Sequence, residues 1–71
     1  MTKLGLYLAD KSVNKSEVSR KTGLTKARIN SLSMNAKSNL RAEELVLIAL
    51  AIGVDPAEMQ KDLFGHIKLK K

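Results

Sequence analysis

Two helix starts lie close together in the first half of the chain, and this pair constrains the fold most strongly. Asn14 is placed to cap one helix, and Glu17 three residues later completes the pattern of a capping box. Thr25 is placed to cap the next helix. Gly23 lies between them, where the left-handed residue that ends a helix costs a glycine little. The segment therefore predicts two short helices joined by a tight turn, over residues 15–22 and 26 to about 34.

Two short helices joined by a turn that contains glycine form a helix-turn-helix. The second helix lacks the acidic residue that is usual at its third position and carries Arg28 there. A carboxylate at that place would repel phosphate, so the omission favours a helix whose N-terminus meets DNA, with chance as the alternative. Its outward positions hold Lys26, Arg28, Asn30 and Ser31.

Positive charge is concentrated in the part of the chain that contains this pair of helices. Residues 1–41 hold nine Lys and Arg against two acidic residues, a net charge of +7. Residues 42–62 have a net charge of −4 and residues 63–71 add +3, which gives +6 for the whole chain. A basic half opposed by an acidic half is typical of nucleic-acid-binding proteins. A generic solubilising surface is the alternative, and the segregation of charge favours binding.

Three further helices are predicted around the pair. The first lies within residues 1–11, with Thr2 as its N-cap. The fourth covers residues 41–52 and carries an apolar stripe broad enough to bury against several neighbours or to leave a surplus for a partner. The last begins behind Asp55 with a proline at its first position and ends at Gly65. These patterns predict an all-α fold, a compact bundle of five short helices with the helix-turn-helix formed by helices 2 and 3.

The loop between helices 3 and 4 and the C-terminal tail carry less regular patterns. Asn35 is expected to end helix 3 in the left-handed region, which asparagine tolerates better than most residues. Residues 1–65 are expected to form one DNA-binding domain, followed by a basic C-terminal tail at residues 66–71. In that tail Ile67 and Leu69 alternate with lysines, which predicts either a frayed end or an arm that pairs with a second subunit.

Several classes of protein are disfavoured by what the sequence lacks. It contains no cysteine and a single histidine, which disfavours a metal centre, and no cofactor is expected. No nucleophile–base pair or phosphate-binding loop is present, so we expect no enzymatic activity. The longest apolar run, Leu45–Ile52, is far shorter than the roughly 20 residues of a membrane span. The sequence therefore predicts a soluble, cytoplasmic protein.

Two stretches carry a resemblance to a known family. The first has apolar, small and glycine residues at a characteristic spacing, in the positions Val18, Ser19, Gly23, Leu24, Ile29 and Leu32. The second is the continuous segment 45–56, LVLIALAIGVDP. Together they make the chain resemble Xre/Cro-type (lambda-repressor-like) helix-turn-helix DNA-binding domains over roughly residues 4–64. Ser19 departs from the usual alanine and leaves a hydroxyl that needs a partner.

The resemblance implies a set of DNA contacts by position. Four residues match positions of the recognition helix that contact bases: Lys26, Ala27, Asn30 and Ser31. Five match or flank positions that contact phosphate: Lys15, Thr25, Arg28, Lys37 and Arg41. Lys26 could donate to guanine and Asn30 could pair with adenine, whereas Ala27 offers only a methyl contact.

The resemblance also implies partners. Double-stranded DNA is the main one, and the expected function is that of a transcriptional regulator, a repressor, which inserts helix 3 into the major groove. A homodimer on a two-fold-symmetric site is expected, because a domain of this size contacts only a few base pairs. The alternative is an antitoxin-like or anti-regulator interaction module, whose main partner is a toxin or another regulator and whose DNA binding is secondary.

Overall fold

The computed structural model describes residues 1–69, which form five helices and no strand. Their bounds are α1 Lys3–Asp10, α2 Lys15–Thr22, α3 Lys26–Met34, α4 Ala42–Ile52 and α5 Pro56–Phe64. The all-α prediction and the order of the helices are confirmed. Lys70 and Lys71, the end of the predicted basic tail, lie outside the described residues.

All five helices contribute side chains to one core. α4 packs against α2 and α5, and α3 packs against α1 and α2. The buried apolar side chains that form this core are Leu4, Leu8, Val18, Ile29, Leu32, Leu45, Ile48, Ala49, Met59 and Leu63. Leu40 packs against this core from the loop before α4. Burial of these side chains from all five helices fixes α2 and α3 on a rigid base.

The start of α1 docks on the end of α3. The Thr2 hydroxyl accepts the N–H of Gly5 at 3.0 Å and donates to the carbonyl of Leu32 at 2.7 Å. The N–H of Thr2 donates to the carbonyl of Ser33 at 2.9 Å. The predicted N-cap is therefore confirmed, and it also satisfies carbonyls at the C-terminus of α3 that have no partner within that helix.

The apolar stripe of α4 is wider than the core can cover. Leu45, Ile48 and Ala49 are buried, whereas Val46, Leu47 and Leu50 are 41%, 38% and 65% exposed. The surplus that the sequence allowed is therefore present on this helix. Gly53 ends α4 in the left-handed region.

The end of α3 differs in conformation from the prediction. Asn35 was expected in the left-handed region, but this is wrong: its φ and ψ are −107° and 112°, which is extended. Its side-chain oxygen accepts the N–H of Lys37 at 2.9 Å, so a local turn replaces the left-handed end. Beyond α5, residues 66–69 form no strand within the chain.

Candidate nucleic-acid interface

The start of α2 is held by one side chain rather than by a reciprocal pair. Asn14 Oδ1 accepts the N–H groups of Ser16 and Glu17 at 2.9 and 3.3 Å, as predicted. The expected return bond from Glu17 to the Asn14 backbone is absent. The Glu17 carboxylate instead accepts from the guanidinium of Arg20, one turn further along α2. A charge-assisted bond to a neighbouring arginine competes with the capping box here.

Side-chain hydroxyl groups brace the turn between α2 and α3. Gly23 adopts φ 80°, as its position predicted, and its N–H donates to the Ser19 carbonyl at 3.0 Å. The Ser19 hydroxyl, which the sequence left without a partner, donates to the Leu24 carbonyl at 2.6 Å. The Thr22 hydroxyl donates to the Val18 carbonyl at 2.6 Å and accepts the Leu24 N–H at 3.2 Å. These bonds fix the angle at which α3 leaves α2.

The recognition helix candidate, α3, has one buried and one open face. The Thr25 hydroxyl accepts the N–H of Arg28 at 3.0 Å and so caps the helix as predicted. Ile29 and Leu32 are 0% and 2% exposed and anchor the helix to the core. The opposite face has no covering element, so its side chains are available to a ligand.

The four predicted base-contacting residues are distributed unequally over α3. Lys26, Ala27 and Asn30 are exposed on the open face. Ser31 is half-buried, and its Oγ lies 2.6 Å from the Oγ of Ser38 in the following loop. Three of the four are thus presented to solvent, whereas Ser31 is engaged with the loop.

The predicted phosphate-contacting residues other than Arg28 are exposed or half-buried. Lys37 and Arg41 are exposed in the loop between α3 and α4, and Lys15 is half-buried at the first position of α2. Thr25 is exposed at the start of α3 with its oxygen used as the cap. These four lie at the starts of α2 and α3 and in the loop after α3.

Arg28 has a different setting from the other cations. Its Nε donates to Glu44 Oε2 at 2.8 Å, and its Nη2 donates to Glu44 Oε1 at 2.9 Å and to the Asn39 carbonyl at 2.8 Å. The hydrogen bond from Arg28 holds the pKa of the Glu44 carboxyl below its ordinary value, against the opposing effect of burial. The same bond raises the pKa of Arg28. Both groups are therefore charged at neutral pH.

Sequence reasoning missed the inner partners of this surface. Glu44 lies in the first turn of α4, where a carboxylate favours the helix dipole, yet it is buried and accepts from Arg28. Ser33 is also fully buried, and its hydroxyl donates to the Ile29 carbonyl at 2.9 Å. Sequence spacing carries no signal for the Glu44 contact, because Arg28 and Glu44 belong to different helices.

The sequence matches a known family of DNA-binding domains over most of its length. A family model for the Cro/C1-type HTH DNA-binding domain matches residues 3–66, which is nearly the whole chain. The chain belongs to this Cro/C1-type family. It is therefore a DNA-binding domain of the kind found in transcription regulators. No curated protein and no solved structure matches the chain significantly.

Residues 1–69 show neither a membrane-spanning helix nor a cluster of metal ligands. No helix within residues 1–69 is long and apolar enough to cross a membrane. The same residues contain no group of three or more His, Cys, Asp or Glu side chains that could hold a metal ion.

Proposed function

We propose that this Cro/C1-type protein binds double-stranded DNA sequence-specifically and acts in the cytoplasm as a transcriptional repressor that inserts α3 into the major groove. The observation that carries the proposal is the open face of α3, where Lys26, Ala27 and Asn30 are exposed on a helix anchored by Ile29 and Leu32. A helix presented in this way fits the dimensions of the major groove.

Contacts to base edges would set the sequence preference. The Lys26 ammonium suits the O6 and N7 acceptors of guanine, and the Asn30 amide suits the N6 and N7 groups of adenine. Ala27 offers a methyl group for contact with thymine. Ser31 would reach a base only by sharing its hydroxyl between that base and Ser38.

Contacts to the phosphate backbone would set the position of α3 in the groove. We assign this role to Lys15, Thr25, Lys37 and Arg41, which lie at the starts of α2 and α3 and in the loop after α3. Lys15 combines its charge with the positive end of the α2 helix dipole, which favours an anion. Because such contacts release counterions, affinity is expected to fall steeply as salt is raised.

A homodimer on a pseudo-palindrome, with half-sites about 34 Å apart, would give the protein enough contacts for a specific site. Apolar side chains exposed on α4 and beyond α5 support a self-association surface. They are Val46, Leu47, Leu50, Ile67 and Leu69. Sedimentation equilibrium with and without a selected operator would give the number of chains in the complex.

The same exposed apolar side chains favour a second candidate function. An antitoxin-like or anti-regulator module would use them to bind a toxin or another regulator and would bind DNA weakly. A purified protein that remains monomeric on DNA, and whose binding is insensitive to sequence, would favour this alternative over the repressor.

Fluorescence anisotropy and selection from a random duplex library test the main proposal. Anisotropy with a random duplex should show tight binding at low salt that weakens steeply at higher salt. The selection should return a two-fold-symmetric site. Absent or salt-independent binding, or a library that shows no enrichment, would contradict sequence-specific DNA binding.

A further inference from the structure

Glu44 is a buried carboxylate, and both of its oxygens accept hydrogen bonds. Its side chain is 7% exposed. Oε2 accepts from Arg28 Nε, and Oε1 accepts from both Arg28 Nη2 and the Arg41 N–H, the last at 2.9 Å. Burial of a carboxylate is costly unless it is paired and hydrogen-bonded in this way. The position of Glu44 is therefore strongly coupled to the positions of both arginines.

Arg28 connects three segments of the chain through one guanidinium group. The residue lies in the first turn of α3, its Nε and Nη2 reach Glu44 in the first turn of α4, and Nη2 also reaches the Asn39 carbonyl in the intervening loop. A planar guanidinium that makes a two-pronged contact with a carboxylate has little freedom to reorient. The contact therefore fixes α3, the loop and α4 relative to one another.

The loop that this contact holds carries DNA-contact candidates. Ser31 on α3 and Ser38 in the loop share a hydrogen bond of 2.6 Å, and Ser38 N–H donates to the Asn35 carbonyl at 3.0 Å. Lys37 lies between these two anchors, and Arg41 follows Asn39. The loop is thus tied to the recognition helix on both sides of Lys37.

We propose that Glu44 is a positioning residue for DNA binding, which acts through Arg28 to hold α3 and the loop with Lys37 in the register that a specific site requires. Arg28 then stabilises the packing of α3, the loop and α4 through its hydrogen bonds and is not one of the phosphate contacts. This inference rests on the proposed function.

The direction in which DNA affinity changes when Glu44 is neutralised separates a positioning role from simple electrostatic repulsion. A carboxylate behind a basic surface repels phosphate, so electrostatics alone predicts that neutralising Glu44 tightens binding to every duplex. A positioning role predicts weaker binding to the operator and no loss on unrelated DNA. Glu43 supplies a matched control. It directly precedes Glu44 on α4, its side chain is exposed, and it has no hydrogen bond to Arg28.

The experiment compares Glu44→Gln with Glu43→Gln on the selected operator and on a scrambled duplex, using anisotropy at two salt concentrations. Glu44→Gln should lower the affinity for the operator about tenfold, which is the effect of one displaced charged hydrogen bond. It should leave the affinity for the scrambled duplex unchanged. Glu43→Gln should bind both duplexes as the wild type does or slightly more tightly. If Glu44→Gln behaves as Glu43→Gln does, or loses equally on both duplexes, the proposal is overturned.

A double-mutant cycle tests whether Arg28 acts through Glu44. The loss of operator affinity should be the same in Arg28→Gln as in the double variant Arg28→Gln/Glu44→Gln, because either substitution breaks the same contact. The slope of non-specific affinity against salt should stay unchanged in Arg28→Gln and fall by about one contact in Lys37→Gln. A loss of slope in Arg28→Gln equal to that in Lys37→Gln would mean that Arg28 contacts phosphate directly.

Circular dichroism establishes that each variant is folded at the assay temperature. Arg28→Lys gives a fold-preserving alternative, since it keeps a positive charge beside Glu44 and loses the two-pronged contact. It should lose operator preference in the same direction as Glu44→Gln, and wild-type preference in this variant would overturn the proposal. Failure of the wild type to select any site would instead overturn the proposed function, so the two failures are distinguishable.

Discussion

Gly5 faces the carbonyl oxygen of Ser33 so closely that a Cβ added at Gly5 would lie 2.2 Å from that oxygen. The contact joins the first turn of α1 to the C-terminus of α3. The same Ser33 oxygen accepts the N–H of Thr2. Gly5, which a propensity scale counts as a weakness of α1, is thus what lets the two helix ends meet.

We expect Gly5→Ala to destabilise the protein by about 1–3 kcal/mol, the usual cost of forcing atoms into a packed contact. Helix propensity alone predicts the opposite, a gain of about 1 kcal/mol. Urea denaturation measures the free energy of unfolding, with Ala9→Gly on the exposed part of α1 as a measure of the propensity effect. A Gly5→Ala variant more stable than the wild type would refute the close contact.

The start of α2 gives a second prediction, because Asn14 alone accepts its free N–H groups while Glu17 pairs with exposed Arg20. Asn14→Ala should lower the free energy of unfolding by about 1 kcal/mol. Glu17→Gln should change it by less than about 0.5 kcal/mol, as for an exposed ion pair. Equal losses in the two variants, measured by urea denaturation, would indicate that the full capping box forms in solution.

The lowered pKa of Glu44 predicts how stability depends on pH. A carboxyl whose pKa is lower in the folded protein stabilises it above the unfolded pKa of about 4.3, and this contribution is lost as pH falls through the folded pKa. Its partner Arg28, whose pKa is raised by the same hydrogen bond, stays charged throughout this range.

The free energy of unfolding of the wild type should therefore exceed that of Glu44→Gln by a constant amount near neutral pH. The difference should shrink below about pH 4.3. Urea titrations from pH 3 to pH 7 would measure it, and comparison with Glu43→Gln corrects for the change in net charge. A difference that stays constant or widens in acid would contradict the ion pair with Arg28.

Base and phosphate contacts should respond differently to substitution. Asn30→Ala should change the sequence recovered in the selection and cost about 1–3 kcal/mol on the original operator. Lys37→Ala should weaken binding to all sequences alike and reduce the salt dependence by about one contact. If Asn30→Ala left both affinity and recovered sequence unchanged, its assignment to a base contact would be wrong.

Local sequence signals were sufficient for most of the secondary structure. The caps at Thr2, Asn14, Thr25 and Asp55 act within one helical turn, and each was visible in the sequence because its partner lies two or three residues away. The turn at Gly23 was predicted for the same reason. Asn35 shows where local rules fail, because its side chain had two local options, a left-handed helix end or a turn with Lys37.

The sequence by itself determined the five helices, their buried faces and the exposure of Lys26 and Asn30 on α3, since hydrophobic spacing and capping are local properties. The tertiary structure alone decided what holds α3 in place. The Gly5–Ser33 approach and the Arg28–Glu44 pair join residues from different helices, and their geometry depends on how the helices pack. Glu44 looked like an ordinary first-turn carboxylate until folding placed the Arg28 guanidinium against it.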